Sequence, residues 1–271
     1  MTTVIDTHTD QSAPARVDTG LAGMKIGFLG ILRSEWTKLW SLRSTYLTLA
    51  TAVVLMIGIG TMVSAVNAGD IRGLDPIYLS LAGVSFAQLA IGVLGVLLVS
   101  GEYSTGSIRT SLTAVPSRLP VLAAKITVFA GVVFAVSLPT AVVSFLIGQS
   151  VLGDAGVSLS ADGALRSVFG AAAYVTLAGV IGVAFGALLR NTAGAVATFV
   201  AIFFLLSPVT QLLPGSVKSS IDPYLPSNAG GVLYNSVVTN GLSPLAGFAL
   251  LFVYTIAAVT GAAILLRRRD V

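Results

Sequence analysis

Cysteine is missing altogether from the 271 residues, which rules out disulfide frameworks, thiolate metal sites and cysteine nucleophiles. Histidine occurs once, as His8 in a Thr- and Asp-rich stretch, where it reads as a solvated tail residue rather than a ligand. Charge is scarce too: Asp, Glu, Lys and Arg make up 10% of the chain, against roughly 25% in soluble domains, while 55% is hydrophobic and the mean hydropathy is +0.93. A water-soluble fold has no means of covering that much apolar surface. The formal charge of +4 does not point to nucleic acid, because the bases sit beside apolar runs and form no basic face with aromatic stacking positions.

What the chain does have is uninterrupted apolar segments of about the 20 residues that a helix needs to cross hydrocarbon. They run from Tyr46 to Val66, Ile77 to Ser100, Ile126 to Gly148, Ser167 to Leu189, Thr192 to Leu213 and Ser243 to Leu266, and none holds Asp, Glu, Lys, Arg or His. One Lys or Arg at mid-span costs about 2.5–3.5 kcal/mol on insertion scales, so this exclusion marks lipid as the solvent. The expected fold is therefore all-α and polytopic, with six transmembrane helices, and Pro139 and Pro208 are expected to kink theirs.

Twelve cations fall on one side of these spans: Arg16, Lys25, Arg33, Lys38, Arg43, Arg109, Arg118, Lys125, Arg190, Arg267, Arg268 and Arg269. Arg72, Arg166 and Lys218 fall on the other, with all of the aspartates from Asp70 to Asp222. The positive-inside rule makes the first side cytoplasmic and places both ends there, in a plasma-membrane protein. Residues 1–23 lack the apolar centre of a signal peptide and are expected to be a disordered tail; 24–45 form an interfacial helix, 46–266 the transmembrane domain, and 267–271 a cytoplasmic end.

From Phe28 to Arg43, Phe28, Leu32, Trp36 and Leu39 share one helical stripe, flanked by Leu29 and Trp40, opposite Arg33, Lys38 and small polar residues. Two tryptophans over cations suit a helix lying against lipid headgroups. Glu35 falls within the apolar stripe and needs a partner, either Arg109 or Arg118 of the following inner loop, or Lys38 three residues on. That inner loop, 101–125, contains a short segment capped by Ser104 or Thr105, edged by Ile108, Leu112 and Val115 and ended by Pro116, which reads as a docking element.

Here the sequence resembles the permease subunits of type-2 ATP-binding-cassette exporters, which carry an acidic residue at the end of the second span, then Gly-Thr or Gly-Ser, a Pro-x-Arg and a downstream Lys. This chain has Glu102, Thr105-Gly106-Ser107, Pro116-Ser117-Arg118 and Lys125, preceded by Ser34-Glu35-Trp36-Thr37-Lys38-Leu39, which is similar to that family's elbow helix. The family's usual Arg or second Glu after the acidic residue is replaced by Tyr103 and Ser104, which leaves the ionic partner of Glu102 open. The resemblance implies a coupling helix in which Glu102, Thr105, Gly106, Ile108, Arg109 and Leu112 meet a separate cytoplasmic ATPase, with Arg118 and Lys125 anchoring its exit and Glu35, Trp36 and Lys38 in the elbow. It also implies a second permease subunit, identical or related, and ATP with Mg on the partner rather than on this chain. No Gly-Lys dipeptide occurs, so a Walker A loop is absent.

Residues 214–242 hold an apolar stretch, Gly230 to Tyr234, too short to span and bracketed by Pro and Asn; it reads as a re-entrant outer segment packed under protein. Gly179, Gly182 and Gly186 with Ala184 form a small-residue face expected to serve packing. Gln88, Thr140, Tyr174, Gln211 and Tyr254 are neutral and inside spans, hence candidates to line a path for a drug-like, lipidic or peptide solute. With no carboxylate or histidine at depth, an ion-coupled carrier and an intramembrane hydrolase are both disfavoured. A non-transporting membrane anchor for a cytoplasmic partner is the competing reading.

Overall fold

In a computed structural model, residues 27–71, 73–104, 118–236 and 241–268 are described; among them there are helices and no strand. Six helical segments are long and apolar enough to cross a membrane: Arg43–Val66, Pro76–Ser104, Leu119–Ala155, Ala164–Leu189, Thr192–Thr210 and Pro244–Arg268. This matches the number read from sequence, and the fold is that of a multi-pass helical membrane protein.

Helix α1, Phe28–Ser41, ends at Leu42, whose extended backbone turns the chain directly into α2, Arg43–Val66. The second span is broken: α3, Pro76–Leu81, is capped by the Asp75 carboxylate, which accepts from the Ile77 N–H at 2.9 Å, and α4, Val84–Ser104, follows after Ala82 and Gly83. The break lies against α2, where any side chain on Gly83 would meet the Met56 carbonyl. Backbone polar groups exposed by such a break need partners in lipid. Ser144 Oγ, on the third span, lies 2.8 Å from the Ser80 carbonyl and 3.1 Å from that of Met56, and Gln149 Nε2 donates to Pro76 O and Ser80 Oγ, both at 2.8 Å.

Helix α5, Arg118–Leu152, is 35 residues long and continues through Pro139. It begins eight residues before the apolar window at Ile126, so Arg118 opens it and Lys125 stands on it rather than in a loop. Helix α6, Ala164–Leu189, is the centre of the bundle, with 67% of its apolar window buried against 17% for the fifth span at the periphery. That fifth span starts as α7, Thr192–Val200, widens into a π turn at Ala201–Leu205 and closes as α8, Leu206–Thr210. The expected disturbance at Pro208 takes this form: proline has no N–H and its ring clashes with the carbonyl four residues back, and the preceding turn is a π turn. Helices α9, Gly215–Ile221, and α10, Pro226–Gly231, fill the connection to α11, Pro244–Arg268.

Helices α4 and α6 meet backbone to backbone. A Cβ on Gly182 would lie 2.3 Å from Gly92 O, one on Gly95 2.3 Å from Gly179 O, and one on Gly186 2.6 Å from Val96 O. The small-residue face of the fourth span is thus spent inside the chain. The described cations Arg33, Lys38, Arg43, Lys125, Arg190, Arg267 and Arg268 gather at the end of the bundle where α1 lies, whereas Arg166, Lys218, Asp75, Asp154, Asp162 and Asp222 belong to connections or helix ends at the opposite end.

Candidate functional site

The first candidate lies where α1 crosses the end of α4 and the start of α5. Ile31, Glu35 and Leu39 form the buried side of α1, with Ile31 packing on Val121 and Ala124 of α5. Phe28, Leu29 and Trp36 remain exposed, Trp36 at 51%. Protein takes the side of Ile31, Glu35 and Leu39, and the side bearing Phe28 and Trp36 is left outward. Trp40 bridges Trp36 and Tyr46, with ring centroids at 5.7 and 5.1 Å.

Glu35 is only 4% exposed and Lys125 equally so. Lys125 Nζ donates to Glu35 Oε2 at 2.6 Å and to Glu102 Oε1 at 2.8 Å; Lys38 Nζ donates to Glu35 Oε1 at 2.7 Å and stands 3.5 Å from Glu102 Oε1. Two carboxylates and two ammonium groups thus form a square of alternating charge, in which Glu35 pairs with Lys38, as the local reading has it, and also with Lys125; Arg109 and the side chain of Arg118, its other expected partners, lie outside the described residues. Glu102 finds the same two cations. Burial works against the Lys38 ammonium, but the hydrogen bond to Glu35 and the field of both carboxylates outweigh it, so Lys38 stands above the ordinary lysine range. Such a buried network contributes little net stability relative to apolar packing, but removing one member leaves an uncompensated charge, which makes it a device for fixing one arrangement. Beside it, the Arg190 guanidinium stands 4.9 Å from the centre of the Tyr103 ring, and Thr192 Oγ1 donates to Ser100 Oγ at 2.9 Å, so the end of α4 is also held by the turn between α6 and α7.

Thr105, Gly106, Ile108, Arg109 and Leu112 lie outside the described residues, as does the side chain of Arg118. The described structure therefore brackets that segment, with Glu102 before it and Lys125 after it joined by one hydrogen bond.

The second candidate is a cavity of about 560 Å³ at the opposite end of the bundle. Of the five residues expected to line a path, Gln88 and Tyr174 face it. The other three do not: Thr140 donates to Val136 O at 2.7 Å beside a minor void, Gln211 accepts from Lys218, and Tyr254 donates to Tyr224 O at 2.7 Å. Gly231 and Tyr234 of the expected re-entrant stretch also line it, and most of the remaining wall was not singled out in the sequence. Tyr234 stacks between Tyr78 and Tyr174, with centroid distances of 6.3 and 5.7 Å, and its hydroxyl lies 3.0 Å from Ser85 Oγ. Phe203 and Phe204 come from the π turn, whose wider winding brings neighbouring side chains round to one wall. Below α10, Val232, Leu233 and Tyr234 are 2%, 6% and 5% exposed, and Gly170 of α6 comes so close that a Cβ there would lie 2.1 Å from Leu233 O.

A square of alternating charge at one end and an aromatic cavity at the other, joined through α4 and α6, define this multi-pass helical membrane protein. No family model matches the sequence, and no curated protein matches it.

Proposed function

We propose that the chain is the membrane subunit of an ATP-driven exporter, working beside a second permease subunit and two cytoplasmic ATPase subunits, with its α1 end in the cytoplasm. The observation that carries this reading is the Glu35–Lys38–Glu102–Lys125 square, which clamps both flanks of segment 105–117 to the elbow helix α1 and to two spans. A loop that transmits force from a partner must be stiff at its roots, whereas a solvated turn needs no buried ion pairs beneath it. Trp36, Trp40 and Tyr46, together at this end, suit an interfacial position for α1 against lipid.

The decisive experiment is capture of the partner. The first check is whether the adjoining reading frame encodes an ATPase with a Walker A loop. Coexpressed with it, the chain is expected to copurify, and Ile108→Asp with Leu112→Asp is expected to abolish copurification while the subunit still inserts; undiminished capture would overturn the docking assignment. A static anchor would use the same loop. It would not show ATP hydrolysis that rises with added solute, which separates the two readings.

In this reading α10 and the turn Val232–Tyr234 form a re-entrant segment that roofs the cavity from outside. Cysteines placed at Val232 and Leu233 are expected to react with a membrane-impermeant maleimide at least roughly tenfold more slowly than one at exposed Ser219. Equal rates at all three positions would remove the roof.

A further inference from the structure

We infer that the cavity is a binding site for an organic cation built on a flat aromatic body and carrying N–H donors. That this ligand is also the exported solute rests on the permease reading; that it binds does not.

Three features of the wall specify such a ligand. The first is the tyrosine stack, Tyr78 on Tyr234 on Tyr174, whose outer member Tyr78 is exposed and, with exposed Phe204 also in the wall, presents π surface whose negative potential attracts a cation as well as an aromatic ring. The second is Asp75, which among the described lining residues is the one that carries a charge. Its Oδ1 accepts from the Ile77 N–H at 2.9 Å and its Oδ2 from the Ser236 N–H at 2.8 Å, so neutral backbone donors hold it in place without cancelling its charge. Arg166, a described cation at this end of the bundle, is not in the wall and turns its guanidinium to carbonyls, donating to Asn235 O at 2.9 Å and towards Val232 O at 3.4 Å.

The third feature is a pair of buried carbonyl oxygens without partners among the described residues. Gln88, 3% exposed, has no hydrogen bond to Oε1, and Asn235 has none to Oδ1. Both are carbonyl oxygens, which accept and cannot donate. A buried acceptor left unmatched costs about 1–3 kcal/mol, so a ligand that brings N–H groups is favoured over one that brings acceptors alone. The Asp75 carboxylate in the same wall repels an anion, although hydroxyls such as that of Ser227 also line it. The volume of about 560 Å³ admits three or four fused rings, within the usual range of small-molecule sites.

Ethidium, a planar monocation with two ring amines, is the probe. The full chain in nanodiscs, with empty discs subtracted, is titrated by ethidium fluorescence, and uncharged phenanthridine serves as the shape control. Saturable ethidium binding at least about tenfold tighter than phenanthridine is expected, and Asp75→Asn, which removes the charge and keeps one of the two side-chain acceptors for the Ile77 and Ser236 N–H groups, is expected to remove most of that preference. Tyr234→Leu should weaken both ligands. Equal affinity for the two ligands in the unaltered protein, or an unchanged preference in Asp75→Asn, would overturn the inference; should Asp75→Asn lose its cooperative melting transition, the preference of the unaltered protein decides. Because no ATPase is in the assay, absent ethidium binding with intact ATPase capture defeats this inference alone, and binding without capture defeats the permease reading alone.

Discussion

Replacing Lys125 by methionine is expected to destabilise the protein by about 3–5 kcal/mol, the range for removing one partner of a buried ion pair. Methionine keeps the volume and the helix propensity of lysine, so the loss is electrostatic. In the native arrangement the Lys125 ammonium, 4% exposed, serves Glu35 at 2.6 Å and Glu102 at 2.8 Å. Without it, both carboxylates lose their buried cation, and Lys38, whose side chain is 34% exposed, stands 2.7 Å from Glu35 but 3.5 Å from Glu102. Adding Glu35→Gln to Lys125→Met removes one of the surplus charges, so the double variant is expected to melt higher than Lys125→Met alone, with a coupling energy above roughly 1.5 kcal/mol. Thermal unfolding of the four proteins in detergent measures this cycle. Strictly additive losses would mean that Lys125 and Glu35 do not interact in the folded protein.

The same residues show what the sequence could and could not disclose. A carboxylate on an apolar stripe is a visible anomaly, so Glu35 demanded a partner before any geometry was known. Lys125 was not read as a partner because an apolar window finds where hydrocarbon begins, not where a helix begins: α5 starts at Arg118, and its first two turns carry Lys125 towards Glu35. That protein covers one side of α1 while its tryptophan side stays outward was only half legible. Periodicity reports one apolar side of a helix, but α1 has two apolar surroundings, protein around Ile31 and Leu39 and the outward side at Leu29 and Trp36. The cavity was the least legible part. Tyr78, Tyr174 and Tyr234 come from three separate segments and share no local period, and a π turn has no sequence signature of its own. Gln88 and Tyr174 could be named because a polar side chain inside a span is conspicuous by itself.

Gly182→Val is expected to cost more than valine's unfavourable packing in most cores, about 3 kcal/mol or above, where inserted methyl groups typically cost 1–3. Overpacking is usually relieved by a neighbouring side chain that changes rotamer. Here the neighbour is backbone: the Cβ alone would stand 2.3 Å from Gly92 O, and the flanking contacts at Gly95 and Gly186 are of the same kind, so only separation of the two helices makes room. A melting temperature lower by on the order of 5 °C or more is expected, or failure to accumulate in the membrane. Gly58→Val on α2, where a Cβ meets nothing within 4 Å, introduces the same side chain into a helix of the same kind and is expected to melt as the unaltered protein does. If the two variants behave alike, the backbone contact between α4 and α6 is not there. The consequence reaches past stability, because α4 carries Glu102 at one end and Gln88 near the other, and α6 carries Tyr174. A contact without intervening side chains leaves these helices little freedom to slide, so a displacement imposed on the charge square reaches the cavity as movement of a unit. If the chain is the exporter subunit proposed above, a Gly182→Val protein that still inserts should retain partner capture while losing solute-stimulated ATP hydrolysis.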